Sequence, residues 1–419
     1  MPWYGELPER WESKRIGALL QQRKEKNDPV TTNFILSLSS AYGVVPFSER
    51  VEKGGNKPKD DLTKYFIAHE NDLLVNCMNV LAGSCGVSKW HGAISPVYYA
   101  LYPRNANDID IWYFNYIFRL VTFYRSLIGI SKGILVHESS TGSLNTIRLR
   151  IAMQNMNYTM LPLPPRDEQD QIVRYLDWKV SQINKLINAK RRQIELLGEM
   201  KRAVVNEAVT KGGEGWKTMR FRFLCKITTG NKDTINRIDK GIYPFYVRSP
   251  KIERINTYSY DGEAILMAGD GVGAGRVFHY ATGRFDYHQR VYCFFDFDEK
   301  LHVRYLHYYM AELFPGVVDK GTAKSTVDSI RLNMIQDFIV AVPSYSEQHA
   351  IVVHLDKQCA NIDGIIAKLN EEITLFSEYR TRLISDVVTG KMDVRGVVVP
   401  DYEVVREAEE NANNEDGEE

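Results

Sequence analysis

The chain is predicted to be an α+β protein. Two mixed α/β globular domains are separated by two long antiparallel helices forming a coiled coil, with a pseudo-two-fold internal repeat. Three observations predict this. Residues 161–212 and 340–391 align without a gap at a constant offset of 179 positions. Both stretches carry apolar residues at a period near 3.5. The segments preceding them echo each other as well, so the order is domain, helix, domain, helix.

The repeated stretch matches Pro164 with Pro343, Glu168-Gln169 with Glu347-Gln348, Ile172 with Ile351 and Leu176-Asp177 with Leu355-Asp356. Glu199 matches Glu378, and Val209-Thr210 matches Val388-Thr389. The predicted seam runs through Ile172, Leu176, Ile183, Ile187, Ile194 and Leu197 in the first copy. In the second it runs through Ile351, Leu355, Ile362, Ile366, Ile373 and Phe376. No proline interrupts either run, and prolines mark both beginnings. A helix of this length is a rod of about 65 Å at about 1.5 Å per residue. One apolar stripe on such a rod needs a partner, and the other copy is the nearest. Lys190 and Lys201 are polar positions in the stripe that either set register between the helices or leave part of it open to another protein.

The globular segments read as short strands with turn residues between them, plus an aromatic-rich helix over 111–126. Trp11, Arg15 and Leu19 return as Trp216, Arg220 and Leu224 at the same internal spacing. Residues 262–275 correspond to 70–86, and Ile147-Arg148-Leu149 is echoed by Ile330-Arg331-Leu332.

The formal charge of zero averages unlike parts: residues 1–395 carry +8 and the tail 396–419 carries −8. The tail is expected to be a disordered, solvated appendage. The basic body permits nucleic-acid binding without requiring it. Five cysteines without CxxC spacing fit a cytoplasmic chain with free thiols and no metal site. No stretch of 18 apolar residues and no signal-peptide pattern occur.

Catalytic motifs are missing. There is no NPPY-like tetrapeptide, HExxH or GxSxG. Gly269-Asp270-Gly271-Val272-Gly273-Ala274-Gly275 fits a relaxed phosphate-loop pattern, but Arg276-Val277-Phe278-His279-Tyr280 after it reads as a strand, which favours a tight strand-to-strand turn. Candidate DNA contacts are Lys89, Trp90 and His91 in the first domain, with Arg276, His288, Gln289 and Arg290 taken to hold a comparable place in the second. Ser143 and Arg148, with Lys324, Ser325 and Arg331, complete the set. Arg and Gln can reach guanine and adenine edges, whereas Lys more often meets phosphate.

The repeated PxxxxEQ…I…LD…VT block, each copy closing a divergent domain, resembles the specificity (S) subunits of type I restriction–modification systems. The resemblance runs from Trp11 to about Arg395. It implies target-recognition domains at 1–164 and 213–343. It further implies conserved helices at 165–212 and 344–395, with the acidic tail 396–419 outside the pattern. By that resemblance the chain is non-catalytic and reads a bipartite site on double-stranded DNA. It docks two methyltransferase (M) subunits and, through them, restriction (R) subunits. S-adenosylmethionine, ATP and Mg²⁺ then belong to those partners. The alternative is a coiled-coil assembly scaffold that does not bind DNA.

Overall fold

In a computed structural model of the chain, the structure describes residues 2–39, 42–50, 58–78, 83–130, 132–134, 148–212, 215–321 and 329–407. They form two units. The first comprises Met1–Ile187 with Ile373–Glu407, and the second is built on Asn188–Glu372.

In unit 1 the chain runs through β1 (Glu12–Arg15), α1 (Ile16–Leu19), β2 (Leu20–Arg23), β3 (Leu36–Ser39) and β4 (Gly43–Pro46). It continues through β5 (Phe66–Ala68), β6 (Leu73–Asn76), β7 (Cys85–Val87), β8 (Gly92–Ile94) and β9 (Tyr98–Pro103). There follow α2 (Ile111–Phe118), α3 (Val121–Ser126), β10 (Lys132–Ile134), β11 (Arg148–Arg150), α4 (Met153–Met156) and β12 (Met160–Leu163). The long helix α5 (Arg166–Thr210) then leaves the unit. One sheet has the order β2-β9-β6-β7; β3 pairs β4, β5 pairs β8, and a parallel bridge joins Ile35 to Ala93.

Unit 2 repeats this plan. Its strands are β13 (Lys217–Arg220), β14 (Lys226–Thr229), β15 (Tyr243–Tyr246), β16 (Ile252–Ile255) and β17 (Tyr260–Asp261). After them come β18 (Ala264–Ala268), β19 (Phe278–Ala281), β20 (Arg284–Tyr287) and β21 (Val291–Phe295). The chain ends this unit with α6 (Val303–Leu313), α7 (Pro315–Gly321), α8 (Leu332–Gln336), β22 (Ile339–Val342) and α9 (Tyr345–Val388). The sheet β14-β21-β18-β19 has the same strand order as the first unit's sheet. The sheet β16-β15-β20-β17 is the counterpart of β4-β3-β8-β5, including its parallel contact. In both units an antiparallel pair, β1 with β12 and β13 with β22, closes the domain just before its long helix.

The repeated sequence block is a set of locks between each domain and its helix. Trp11 donates its indole N–H to Glu168 at 3.0 Å, and Trp216 does the same to Glu347 at 2.9 Å. The fully buried amide of Gln169 accepts from the Asp110 backbone N–H and donates to the carbonyls of Asp108 and Pro164. Gln348 makes the same three bonds to His302, Lys300 and Pro343. Tyr116 donates its hydroxyl to Asp177, and Tyr308 to Asp356, each at 2.6 Å. Burial pushes the Asp177 carboxyl up, while the Tyr116 hydroxyl pulls it back down. Leu176 and Leu355 beside these aspartates are fully buried. Buried polar groups are tolerated here because each one is paired.

The helices end against the same tryptophans. A Cβ on Gly212 would meet the Trp216 ring at 2.3 Å, and one on Gly390 would meet Pro8 at 2.5 Å and the Trp11 ring at 3.3 Å. This explains why one copy ends Lys211-Gly212 and the other Gly390-Lys391. Each puts its glycine where a neighbouring ring leaves no room for a Cβ, Trp216 for Gly212 and Pro8 for Gly390, one residue apart.

Cover along the predicted seam residues is uneven. In unit 1, Ile172, Leu176, Ile183 and Ile187 are buried, with Ile373 and Phe376 partly buried against the same core. In unit 2, Leu355 and Ile362 are buried, while Ile194, Leu197, Ile351 and Ile366 are only half-covered. The polar seam residues find cross-helix partners: Lys190 pairs with Glu372, Lys201 with Asp363 at 2.7 Å, and Arg380 donates to Asn184 at 2.6 Å. In unit 2 the pairs Lys190 with Glu372 and Lys201 with Asp363 run in opposite directions along the chain, so its helix segments are antiparallel.

Two expectations are corrected. The repeat of Ile330-Arg331-Leu332 is not Ile147-Arg148-Leu149 but Ile151-Ala152-Met153, four residues on. Ile151 donates its N–H to the Cys77 carbonyl and accepts from the Tyr99 hydroxyl. Ile330 repeats both bonds with Gly269 and Tyr292. The offset of 179 therefore reaches back through α4 and α8. The tail also differs from the expectation. Residues 396–407 lie along unit 1, where Gln171 donates to the Val394 and Val397 carbonyls and Asn184 to the Val405 carbonyl. Ser181 accepts from the Val405 N–H, and Arg380 pairs with Glu407. The equivalents in unit 2 of Gln171, Ser181 and Asn184 are Ala350, Ala360 and Asp363, which cannot reproduce this set. Residues 408–419 lie outside the described residues.

Candidate nucleic-acid interface

Strand direction sorts the loops of unit 2 into two ends. β18 and β20 run toward one end, and there the loops 269–277 and 288–290 connect them to β19 and β21. β14 and β15 finish at the same end, adding loops that begin at Gly230 and Val247. Ser329 is also there, bridged to Asp270. This is the loop cluster that most of the second-domain candidates define.

Asp270 sits at its centre. Its carboxylate lies 3.2 Å from Arg248 Nη1 and 3.6 Å from Arg290 Nε. The aspartate side chain is 20% exposed, against 38% for Arg248 and 65% for Arg290, so a mostly covered anion holds two solvent-facing cations. The glycine run makes this approach possible. Gly271 has φ +74, and a Cβ on Gly269 or Gly273 would fall 2.9 Å from the Arg290 carbonyl or 2.7 Å from the Arg248 carbonyl. The loop joins β18 to β19 as an antiparallel hairpin, as the strand following it predicted.

His288 is 3% exposed, too buried to read a base. It positions Arg290 instead, because His288 Nδ1 accepts the Arg290 backbone N–H at 3.0 Å while the Arg290 carbonyl accepts from Gly269. Burial, and then the Arg248 charge, push the imidazole pKa down, which keeps Nδ1 free to accept. Gln289 is exposed, with its amide donated to Asp233 at 2.7 Å. Arg276 pairs with Asp319 at 2.6 Å, and Arg331 is exposed at the start of α8.

The first-domain candidates fall elsewhere. Lys89, Trp90 and His91 connect β7 to β8, which corresponds to the turn between β19 and β20, at the opposite end of the strands. Lys89 contributes to holding the Asp177 charge on α5, Trp90 is partly buried against a small core, and His91 packs on His69 with centroids 4.8 Å apart. They are therefore not the counterparts of residues 288–290; Ser95, Pro96 and Val97 are. The Cys77 N–H donates to the Val97 carbonyl just as Gly269 donates to that of Arg290. Arg148 lies in β11, and its side chain, like all of Ser143, Lys324 and Ser325, lies outside the described residues.

Arg248 and Asp270 were not among the predicted contacts. A cation at a strand end before Ser249-Pro250, and an anion inside a glycine run, are the signals that could have found them.

Residues 213–375 match the family model described as the type I restriction modification DNA specificity domain. The chain is similar to the EcoDI type I specificity subunit of Escherichia coli, 28% identical over 42% of this chain and 38% of that relative's length. It is also similar to the MjaVIII specificity subunit of Methanocaldococcus jannaschii, 22% identical over 93% of this chain and 95% of the relative. Among solved structures, a chain from work on complex assembly and conformational transition of the type I R-M system covers 92% of this chain and 100% of itself, with a TM-score of 0.70 at 14% identity. The HsdS subunit of Thermoanaerobacter tengcongensis aligns with a TM-score of 0.50, covering 92% of this chain and 98% of itself at 14% identity. These likenesses share the fold described above. Residues 213–375 thus match a type I DNA specificity domain, and the chain over most of its length is similar to type I specificity subunits.

Proposed function

We propose that the chain reads a split site on double-stranded DNA, one part through each unit, and carries two methyltransferase subunits that act on it. The observation that supports this most directly is a duplicated frame bearing different loop chemistry. The backbone bonds that hold the loop after β6 and the loop after β18 are the same, yet the side chains they present are Met78 and Val97 in one unit and Asp270 and Arg290 in the other. Two readers of one build with different surfaces suit two half-sites of different sequence. Each half would span about 3–5 base pairs, with the halves about one helical turn apart.

Partner docking is supported by a second repeated feature. Unit 1 exposes Leu186, Leu375 and Tyr379 on its helices, and unit 2 exposes Ile365, Leu196 and Met200. These are the same positions under the offset of 179. An apolar set repeated in each unit fits two copies of one partner. On this reading the chain itself is non-catalytic, the restriction subunits join through the methyltransferases, and S-adenosylmethionine, ATP and Mg²⁺ bind those cytoplasmic partners.

The test is genome-wide mapping of N6-methyladenine in cells expressing the chain with its neighbouring methyltransferase subunit. One split motif with a fixed gap is expected. No new methylation, with the partner active alongside another specificity subunit, would favour a scaffold that does not touch DNA.

A further inference from the structure

We infer that Arg248 and Arg290, positioned by Asp270, read guanine in the half-site of unit 2. The inference rests on the DNA-reading function proposed above and names the base class and the residues.

The geometry meets the requirements of a preorganised reader. Arginine forks match guanine O6 and N7, which lie together on the major-groove edge. A free arginine loses much side-chain freedom when it binds, and an anion that already holds it lowers that cost. Asp270 holds both guanidinium groups from the covered side and leaves them largely exposed. Arg290 is also fixed at both backbone groups, through His288 and Gly269.

A purely structural role for the triad is disfavoured by unit 1. There Met78 and Val97 occupy the positions of Asp270 and Arg290, and the same backbone bond forms without any charge. The fold therefore does not need an aspartate and an arginine at this loop. Arg284 begins the same strand that leads to Arg290 but lies at its other end, paired with Asp261 at 2.8 Å, and it serves as the matched control.

The experiment uses the purified complex with its methyltransferase subunits and duplexes varied at every position of both half-sites. Wild type should prefer G·C at one or more positions of the half-site that unit 2 reads. Arg290→Gln and Arg248→Gln should each reduce that preference about ten- to a hundredfold, the size of one bidentate contact. Discrimination in the other half-site should be unchanged. Asp270→Asn, which keeps both arginines, should lower the same preference by a smaller factor, and Arg284→Gln should leave it intact. The double variant Asp270→Met with Arg290→Val carries the residues of unit 1; it should fold and lose the G·C preference.

The inference is overturned if the half-site has no preferred G·C pair. It is equally overturned if the arginine variants weaken all sequences alike, or if the double variant keeps the preference. A wild-type complex with no split-site preference would instead overturn the underlying DNA-reading function.

Discussion

The two units share their locks and differ at their loop ends. Trp11–Glu168, Gln169 and Tyr116–Asp177 in unit 1 return bond for bond as Trp216–Glu347, Gln348 and Tyr308–Asp356 in unit 2. The side chains presented by the loops beyond the strands show no such agreement. Unit 1 adds a covered ion pair of its own, in which Arg23 donates to Asp72 at 2.7 and 3.0 Å while Arg23 stacks over Tyr102. The position of Asp72 in unit 2 is taken by Ala264. Unit 1 also carries the C-terminal strap, and unit 2 the triad around Asp270. Residues that seat a domain on its helix are fixed by paired hydrogen bonds, with Gln169 and Gln348 fully buried, whereas residues at the free loop ends can change because little in the core depends on them.

That contrast can be broken in several ways, and the largest effect is expected from Asp72→Ala. It leaves Arg23 without its partner and should cost unit 1 about 3 kcal/mol, toward the low end for a broken buried pair because Arg23 is 23% exposed. Hydrogen exchange followed residue by residue should show faster opening confined to unit 1. Opening of both units to the same extent would contradict it.

Next come Gln169→Leu and Gln348→Leu. Each leaves one amide and two carbonyls without their partner and should cost about 2–3 kcal/mol in its own unit. Equal losses support the equivalence of the locks, and a loss in only one of the two would sink it.

Truncation after Arg395 should cost unit 1 about 1–2 kcal/mol, through the hydrogen bonds of Gln171 and Asn184 and the partly buried Val397 and Val399. Unit 2 should not respond.

The smallest effect is a pH dependence. Burial, then the Arg304 and His279 charges, hold His307 at about 4, below its ordinary value of 6.5. A depressed histidine gives stability that is present above pH 6.5 and lost as pH falls toward 4, since the unfolded chain takes up the proton first. Between pH 7 and 5.5 unit 2 should lose about 1 kcal/mol from this source. His307→Gln should flatten that slope in denaturant titrations, and an unchanged slope would refute the assignment.

The sequence made the frame legible because the locks belong to a helix. Glu168, Gln169, Leu176 and Asp177 recur in a fixed register, and a gapless repeat exposes them. The tripeptide at 147–149 misled because identity over three residues outweighed the register that the buried Ile151 and Ile330 keep. The acidic composition of the tail hid the apolar Val397 and Val399 that dock it. Lys89 to His91 were matched by their place between glycines, which does not reveal the strand end on which a turn falls. Arg248, Asp270 and Arg290 are far apart in the chain and meet only through the order of strands in two sheets, so no local pattern marks them.

The central claim is that each unit reads its own part of one DNA site. The most direct test exchanges residues 217–342 for those of another specificity subunit and maps N6-methyladenine before and after. If the claim holds, one half of the methylated motif changes, while the other half and the gap stay as they were. A motif that changes in both halves, or in neither, would contradict it.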